Sequence, residues 1–276
     1  MASVTQIIKR TKQPYGGYLK VGEFNKIQLD DNQILKEENI HSSLVGMTVD
    51  YLTRLMLGAS PEDAFKISLL GAQVIKQKRK ALTMFKNVNG LDKESIYYAC
   101  KLVGYDVCYR SGPAGYKPVS EIKPDDDTIN NIRIMVERSL DFFEKYGPII
   151  KDGFTFEGGY TNKINAGDGD FLTNDTLWDF KVSKNSPNSK QTLQLLVYYI
   201  MGCHSIHTDF QNIKMIGIYN PRLNVIYLKN ISEIPEEIIK IIETEIIGYS
   251  DGEINQTLIA IIFIIILLLF LFFVGM

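Results

Sequence analysis

Between residues 167 and 181 the chain reads Gly-Asp-Gly-Asp-Phe-Leu-Thr-Asn-Asp-Thr-Leu-Trp-Asp-Phe-Lys. Carboxylates and a lysine recur here among large apolar residues. Side chains alternate along a strand, so Asp179 and Lys181 share one face while Trp178, Phe180 and Val182 take the other. The apolar three belong in a core, and the charged two are then held at its edge. With Asn174-Asp175 as a two-residue turn, positions whose numbers sum to 349 face each other. Asp170 then opposes Asp179, and Asp168 opposes Lys181. Like charges placed directly opposite destabilise a hairpin, and a bound cation would remove that cost. Magnesium suits such a place, because it takes hard oxygen ligands, often one or two carboxylates, and keeps waters and substrate phosphate for the rest. Mn2+ is the alternative ion. Lys181 beside it could orient or deprotonate a water, or neutralise charge developing on a phosphate. A solvated Asp-rich hairpin with an incidental lysine would carry the same string, so the neighbouring elements have to decide.

Downstream, residues 187–202 read as a helix. Lys190, Gln194 and Tyr198 fall on one of its faces, four residues apart. A cation, an amide and a phenol make a good set for phosphate and nucleotide contacts. The opposite face (Leu193, Leu196, Ile200) is apolar, so Tyr198 is equally suited to half-buried packing. Upstream, apolar positions from 38 to 57 recur at helical spacing. Ser60-Pro61 opens another helix, with Ser60 as cap, expected to run to the basic stretch Lys76-Gln77-Lys78-Arg79-Lys80. Further helices are expected over residues 93–103 and from Pro124-Asp125-Asp126-Asp127 to Tyr146, the latter with the acidic first turn that the helix dipole favours. Residues 18–29 read as a short hairpin or irregular strand. After Gly147-Pro148 the texture changes: 153–160, 162–172 and 176–183 are strand-like, as are 213–219 and 224–228, and 235–247 closes with a helix. Helices followed by a sheet wrapped in helices make an α/β arrangement around one core.

The motif order Gly167-Asp168-Gly169-Asp170, then Asp179-Phe180-Lys181 on the next strand, then Gln194-Leu195-Leu196-Val197-Tyr198 on the following helix resembles the PD-(D/E)XK nuclease superfamily, in particular its RecB-like exonuclease branch. The resemblance implies a mixed central β-sheet flanked by helices, with a helical N-terminal half. It implies that Asp170 and Asp179 ligate the metal, with the Phe180 carbonyl as an extra ligand, and that Lys181 positions the nucleophilic water. Gln194 and Tyr198 would support the site or contact the substrate backbone, and Lys190, on the same helix face, is a further candidate for substrate contact. The branch usually carries a histidine in an N-terminal helix; Gly46-Met47-Thr48-Val49-Asp50 stands in that place, with Asp50 where the histidine is expected. Asp50 can ligate magnesium too, and Glu137 on the 124–146 helix is the rival acid. The close match covers residues 167–198, and the strand–helix order extends it over roughly 40–245.

Composition permits this reading. The chain has 276 residues, 45% hydrophobic and 22% charged, which is ordinary for a globular protein. Its formal net charge of -2 means that nucleic acid would have to be held by a local patch. Three cysteines without a CxxC pair argue against a zinc site or disulfide framework. The first thirteen residues carry Lys9, Arg10 and Lys12 with no apolar segment behind them, unlike a secretory leader. Residues 258–276 are nineteen apolar positions in a row. As a helix they would span roughly 28 Å, near the thickness of a bilayer core. They are expected to anchor the protein in a membrane, with the catalytic domain in the cytoplasm, or to leave it simply cytoplasmic if they are no anchor.

The remaining candidates have ordinary explanations. Cys203-His204-Ser205-Ile206-His207 lies at a helix C-terminus, where histidine suits the dipole, and has no evident fourth metal ligand. His41 reads as a cap or surface residue, and Arg222 as part of a turn. The expected organisation is an N-terminal segment with short strands (1–37), a nuclease-like domain (38–250) and a transmembrane helix (258–276). The expected activity is magnesium-dependent hydrolysis of phosphodiester bonds, in DNA ahead of RNA. A non-catalytic nucleic-acid-binding module on the same fold, or a membrane-tethered interaction protein, is the alternative.

Overall fold

Apolar residues spaced by three and four build the first half of the molecule, and alternating ones build the second. The computed structural model describes residues 2–250. In chain order the elements are β1 (Ala2–Ser3), α1 (Val4–Arg10), β2 (Asn25–Gln28), α2 (Ser42–Met56), α3 (Pro61–Ala64), α4 (Lys66–Val74), α5 (Lys78–Phe85), α6 (Lys93–Val103), α7 (Asp106–Arg110) and α8 (Asp126–Tyr146). Then follow β3 (Ile149–Phe154), β4 (Ile164–Ala166), β5 (Gly169–Thr173), β6 (Thr176–Phe180), α9 (Ser189–Cys203), β7 (Met215–Asn220), β8 (Val225–Asn230) and α10 (Glu236–Ile241), which continues into a π-helical turn over Ile242–Ile247.

Six strands form one mixed sheet in the order β2-β8-β7-β6-β5-β3. Neighbours run antiparallel except β6 and β7, which are parallel because α9 carries the chain back between them. Helices cover both faces. Phe171, Trp178, Phe180, Tyr219 and Ile226 pack with α2, α6 and α8, while Leu172, Leu177, Ile216 and Ile218 pack with α1 and α9. Phe142 of α8 stacks on Tyr219 at 4.0 Å and meets Trp178 edge-on at 4.8 Å. Every residue of β6 is therefore buried, Asp179 included. The fold is the mixed α/β class that the element order implied.

Several boundaries differ from expectation. The helix opened by Ser60 does cap through its side chain, but it does not reach the basic stretch: it breaks at Phe65 and again at Lys76, whose φ is 58°. The breaks let α4 turn its Gly71 against the Tyr105 carbonyl, where a Cβ would lie 2.0 Å from that oxygen. Lys78-Arg79-Lys80 thus opens α5 rather than closing a helix. Of the two readings for residues 18–29, the strand holds and the hairpin does not: β2 pairs with β8 from the far end of the chain. The segment 1–37 holds the expected short strands and also α1, capped by Ser3 in a reciprocal pair with Gln6. The strand expected over 153–160 lies earlier, at β3, and the stretch 162–172 divides into β4 and β5. Among the described residues no helix is long and apolar enough to cross a membrane, and the expected anchor at 258–276 lies outside them.

Candidate active site

The β5–β6 hairpin turns at Asn174-Asp175, with Phe171 opposite Trp178 and Leu172 opposite Leu177, the register that sums to 349. The paired ladder stops at Phe171–Trp178, one step short of Asp170 and Asp179, and Asp168 and Lys181 lie just outside β5 and β6. Asp168 is exposed, and its charge helps to raise Arg110. Lys181 pairs with Asp179, Nζ to Oδ1 at 2.7 Å. Asp170 accepts a hydrogen bond from the Phe180 amide through Oδ2, at 2.8 Å. Gly169, within the motif, sits under the Phe154 ring; a Cβ would come within 2.3 Å of it.

Asp179 is 2% exposed, and its Oδ2 has no hydrogen-bond partner. Burial pushes its carboxyl up to about 6, with Lys181 opposing and Asp170 reinforcing the rise. Burial alone would lower Lys181, but the Asp179 and Asp170 charges outweigh it and raise the group. Lys181 is therefore an ammonium in this arrangement, suited to orienting water or neutralising charge rather than to taking a proton. Asp50 of α2 feels the same charges: burial raises its carboxyl, Arg54 lowers it, and Asp170 raises it again. Glu137, the rival acid, is exposed on α8.

On α9, Tyr198 is 5% exposed, stacks on Phe156 at 5.1 Å and accepts from Gln194 Nε2 at 2.8 Å. Burial raises its hydroxyl, and the Asp179 charge adds to that, which places the phenol beside the carboxylates. It is both a packing residue and a neighbour of the site. Lys190 is exposed in the first turn of α9. His41 caps α2, accepting from the Ser43 amide. His204 stacks on Tyr249 at 4.0 Å and His207 lies 3.0 Å from the Thr155 carbonyl, so both are structural.

Arg54 was not singled out in the sequence. Its Nε donates to Asp50 at 2.9 Å and its Nη1 to Asp152 at 3.1 Å. The four-residue spacing to Asp50 on a helix was the signal that could have found it. Asp50, Phe180 and Val182 line a groove of about 350 Å³ with Ser42, Ser43, Gly46 and Met47. A larger cavity of about 480 Å³ is lined by Arg138, Arg222 and the segment that carries Asp31. Those arginines are already paired, Arg138 with Asp31 at 2.5 Å and Arg222 with Glu38 at 2.6 Å.

Among the described residues no three His, Cys, Asp or Glu side chains close into a ready-made metal cage. Asp170 is turned to a backbone amide and Asp50 to Arg54. Comparison with family models, curated proteins and solved structures returns no match to this chain.

Proposed function

We propose that the chain is a magnesium-dependent nuclease of the PD-(D/E)XK type, cleaving phosphodiester bonds in DNA. The observation that carries this reading is the orphaned Oδ2 of Asp179, a buried carboxylate oxygen flanked by Asp170 and Lys181. An unpaired buried oxygen is costly, and a cation is the partner that two adjacent carboxylates call for. Asp170, Asp179, the Phe180 carbonyl and Asp50 are the oxygen donors that would hold Mg2+, or Mn2+ in its place. The motif order also supports the resemblance, since the two acidic motifs lie on adjacent strands and Gln194-x-x-x-Tyr198 on the helix that follows.

The ion would supply Lewis acidity toward a phosphodiester oxygen. Lys181, as an ammonium, orients the attacking water and neutralises charge that builds on the phosphate. Gln194 fixes the Tyr198 hydroxyl, and the pair supports the carboxylates from the α9 side. The groove beside Asp50 and Phe180 offers a way for substrate to approach. Membrane attachment through residues 258–276, with the catalytic part in the cytoplasm, belongs to the same proposal and rests on the sequence alone.

The full chain should therefore be incubated with linear, circular and single-stranded DNA, and with RNA, in Mg2+ and in chelator. Cleavage that requires Mg2+ and disappears in Asp179→Asn supports the reading. Binding without cleavage in every condition would mark a non-catalytic binding module instead.

A further inference from the structure

Arg54 reaches three acid-bearing elements at once. Its Nε donates to Asp50 Oδ1 at 2.9 Å within α2, and its Nη1 donates to Asp152 of β3 at 3.1 Å. Nη2 lies 3.5 Å from the main-chain oxygen of Asp170 on β5. The guanidinium also rests 4.6 Å from the centre of the Phe171 ring, and the side chain is only 12% exposed. A planar fork gripped on several sides has one orientation, which an ammonium on a flexible stem could not reproduce. It takes Oδ1 of Asp50. Without it, Asp50 would face Asp170 with no cation between them, and repulsion would drive it away from the hairpin.

We propose that Arg54 is a positioning residue, which holds Asp50 against the Asp170–Asp179 pair so that α2 supplies a third carboxylate to the divalent cation. The inference rests on the metal-site reading above. Groups of this kind, hydrogen-bonded to a ligand rather than to the metal, typically affect affinity by ten- to a hundredfold.

The test is Mn2+ binding to the full chain by calorimetry, for wild type, Arg54→Ala, Asp50→Asn and the double variant, with circular dichroism on each. Arg54→Ala should weaken Mn2+ binding about tenfold or more. In the Asp50→Asn background the same change should have almost no further effect, because Arg54 acts through Asp50. If Arg54→Ala is unfolded, Arg54→Lys, which keeps the charge but not the fork, carries the same cycle. Unchanged or tighter binding in Arg54→Ala overturns the proposal, since the arginine would then be neutral or a competitor for Asp50. An undiminished loss in the Asp50→Asn background also overturns it. No Mn2+ binding by folded wild type would fail the metal-site reading itself, a result distinct from either.

Discussion

The Asp179–Lys181 pair shows how one buried residue can be both a liability and the centre of a site. Lys181 is the cation that compensates a carboxylate 2% exposed to solvent. Replacing it with methionine leaves that charge buried and unpaired, at a cost on the order of 3 kcal/mol. Lys181→Met should thus lower the melting temperature of the metal-free protein while enlarging the stabilisation that added Mg2+ confers. It should also reduce cleavage by about a hundredfold or more, since charge stabilisation at the phosphate is lost. A variant as heat-stable as wild type, or one with wild-type turnover, would show that Lys181 has neither role. Asp179→Asn reads the metal instead: it relieves repulsion with Asp170 but also takes from Lys181 its 2.7 Å partner, so the diagnostic quantity is the thermal shift on adding Mg2+, which should shrink. Equal shifts in wild type and Asp179→Asn would mean that this carboxylate is not a ligand.

At the scale of elements, the site depends on how closely β6 and β7 pack under α8. Trp178 stands beside Gly217 in the parallel pair, and a Cβ on Gly217 would lie 2.3 Å from the indole ring. Gly217→Ala must therefore push Trp178 toward Phe142, which already meets it edge-on at 4.8 Å. Overpacking of that kind costs roughly 1–3 kcal/mol. Because Trp178 is the chain's single tryptophan, its fluorescence reports the displacement directly. The emission of Gly217→Ala should shift, its denaturant midpoint should fall, and cleavage should drop with it, since Asp179 is the next residue. An unshifted spectrum with full stability would show that the indole has room to move.

Across the whole molecule, residues 28–40 tie β2 at one sheet edge to α2 at the site. Arg138 of α8 anchors this segment, donating to Asp31 through Nε and Nη2, to the Gln33 carbonyl, and to the Pro221 and Arg222 carbonyls. The hydrogen bonds from Arg138 hold the Asp31 carboxyl below its ordinary value of 3.8. A carboxyl depressed on folding contributes stability that is present above its unfolded value and lost as pH falls through the folded one. Wild type should lose this contribution below about pH 3.8. Arg138→Met should be less stable at pH 7, because Asp31 and three backbone carbonyls lose their donor. The difference between the two proteins should narrow as pH falls through that window, and urea titrations at pH 7 and pH 3 would measure it. A constant difference would remove Asp31 from the account. The tail gives a further expectation: Leu, Ile and Phe each favour insertion by roughly 0.3–0.6 kcal/mol at a helix centre. The full chain should pellet with membranes and require detergent, whereas a chain ending at Asn255 should not. A soluble, monomeric full chain would contradict the anchor.

Local chemistry made part of this protein legible from its residues. Asn174-Asp175 between alternating segments specified the hairpin and its register, because a two-residue turn leaves one pairing that buries Phe171 and Trp178 together. Ser60-Pro61 marked a helix start, since the Ser60 side chain satisfies an amide that the helix leaves free. Those signals act within a few residues, and so the strands and helix that carry Asp170, Asp179, Lys181, Gln194 and Tyr198 could be read directly. Tertiary structure decided what depends on distant partners. The pairing of β2 with β8 joins residues about two hundred positions apart, and the division of the 60–80 helix follows from Gly71 meeting Tyr105. Likewise, Asp50 and not Glu137 stands by the hairpin because α2 packs toward Phe180 while Glu137 points to solvent. Arg54 is the clearest case: its bond to Asp50 follows helical spacing, but its reach to Asp152 and Asp170 exists only once α2 lies across β3 and β5.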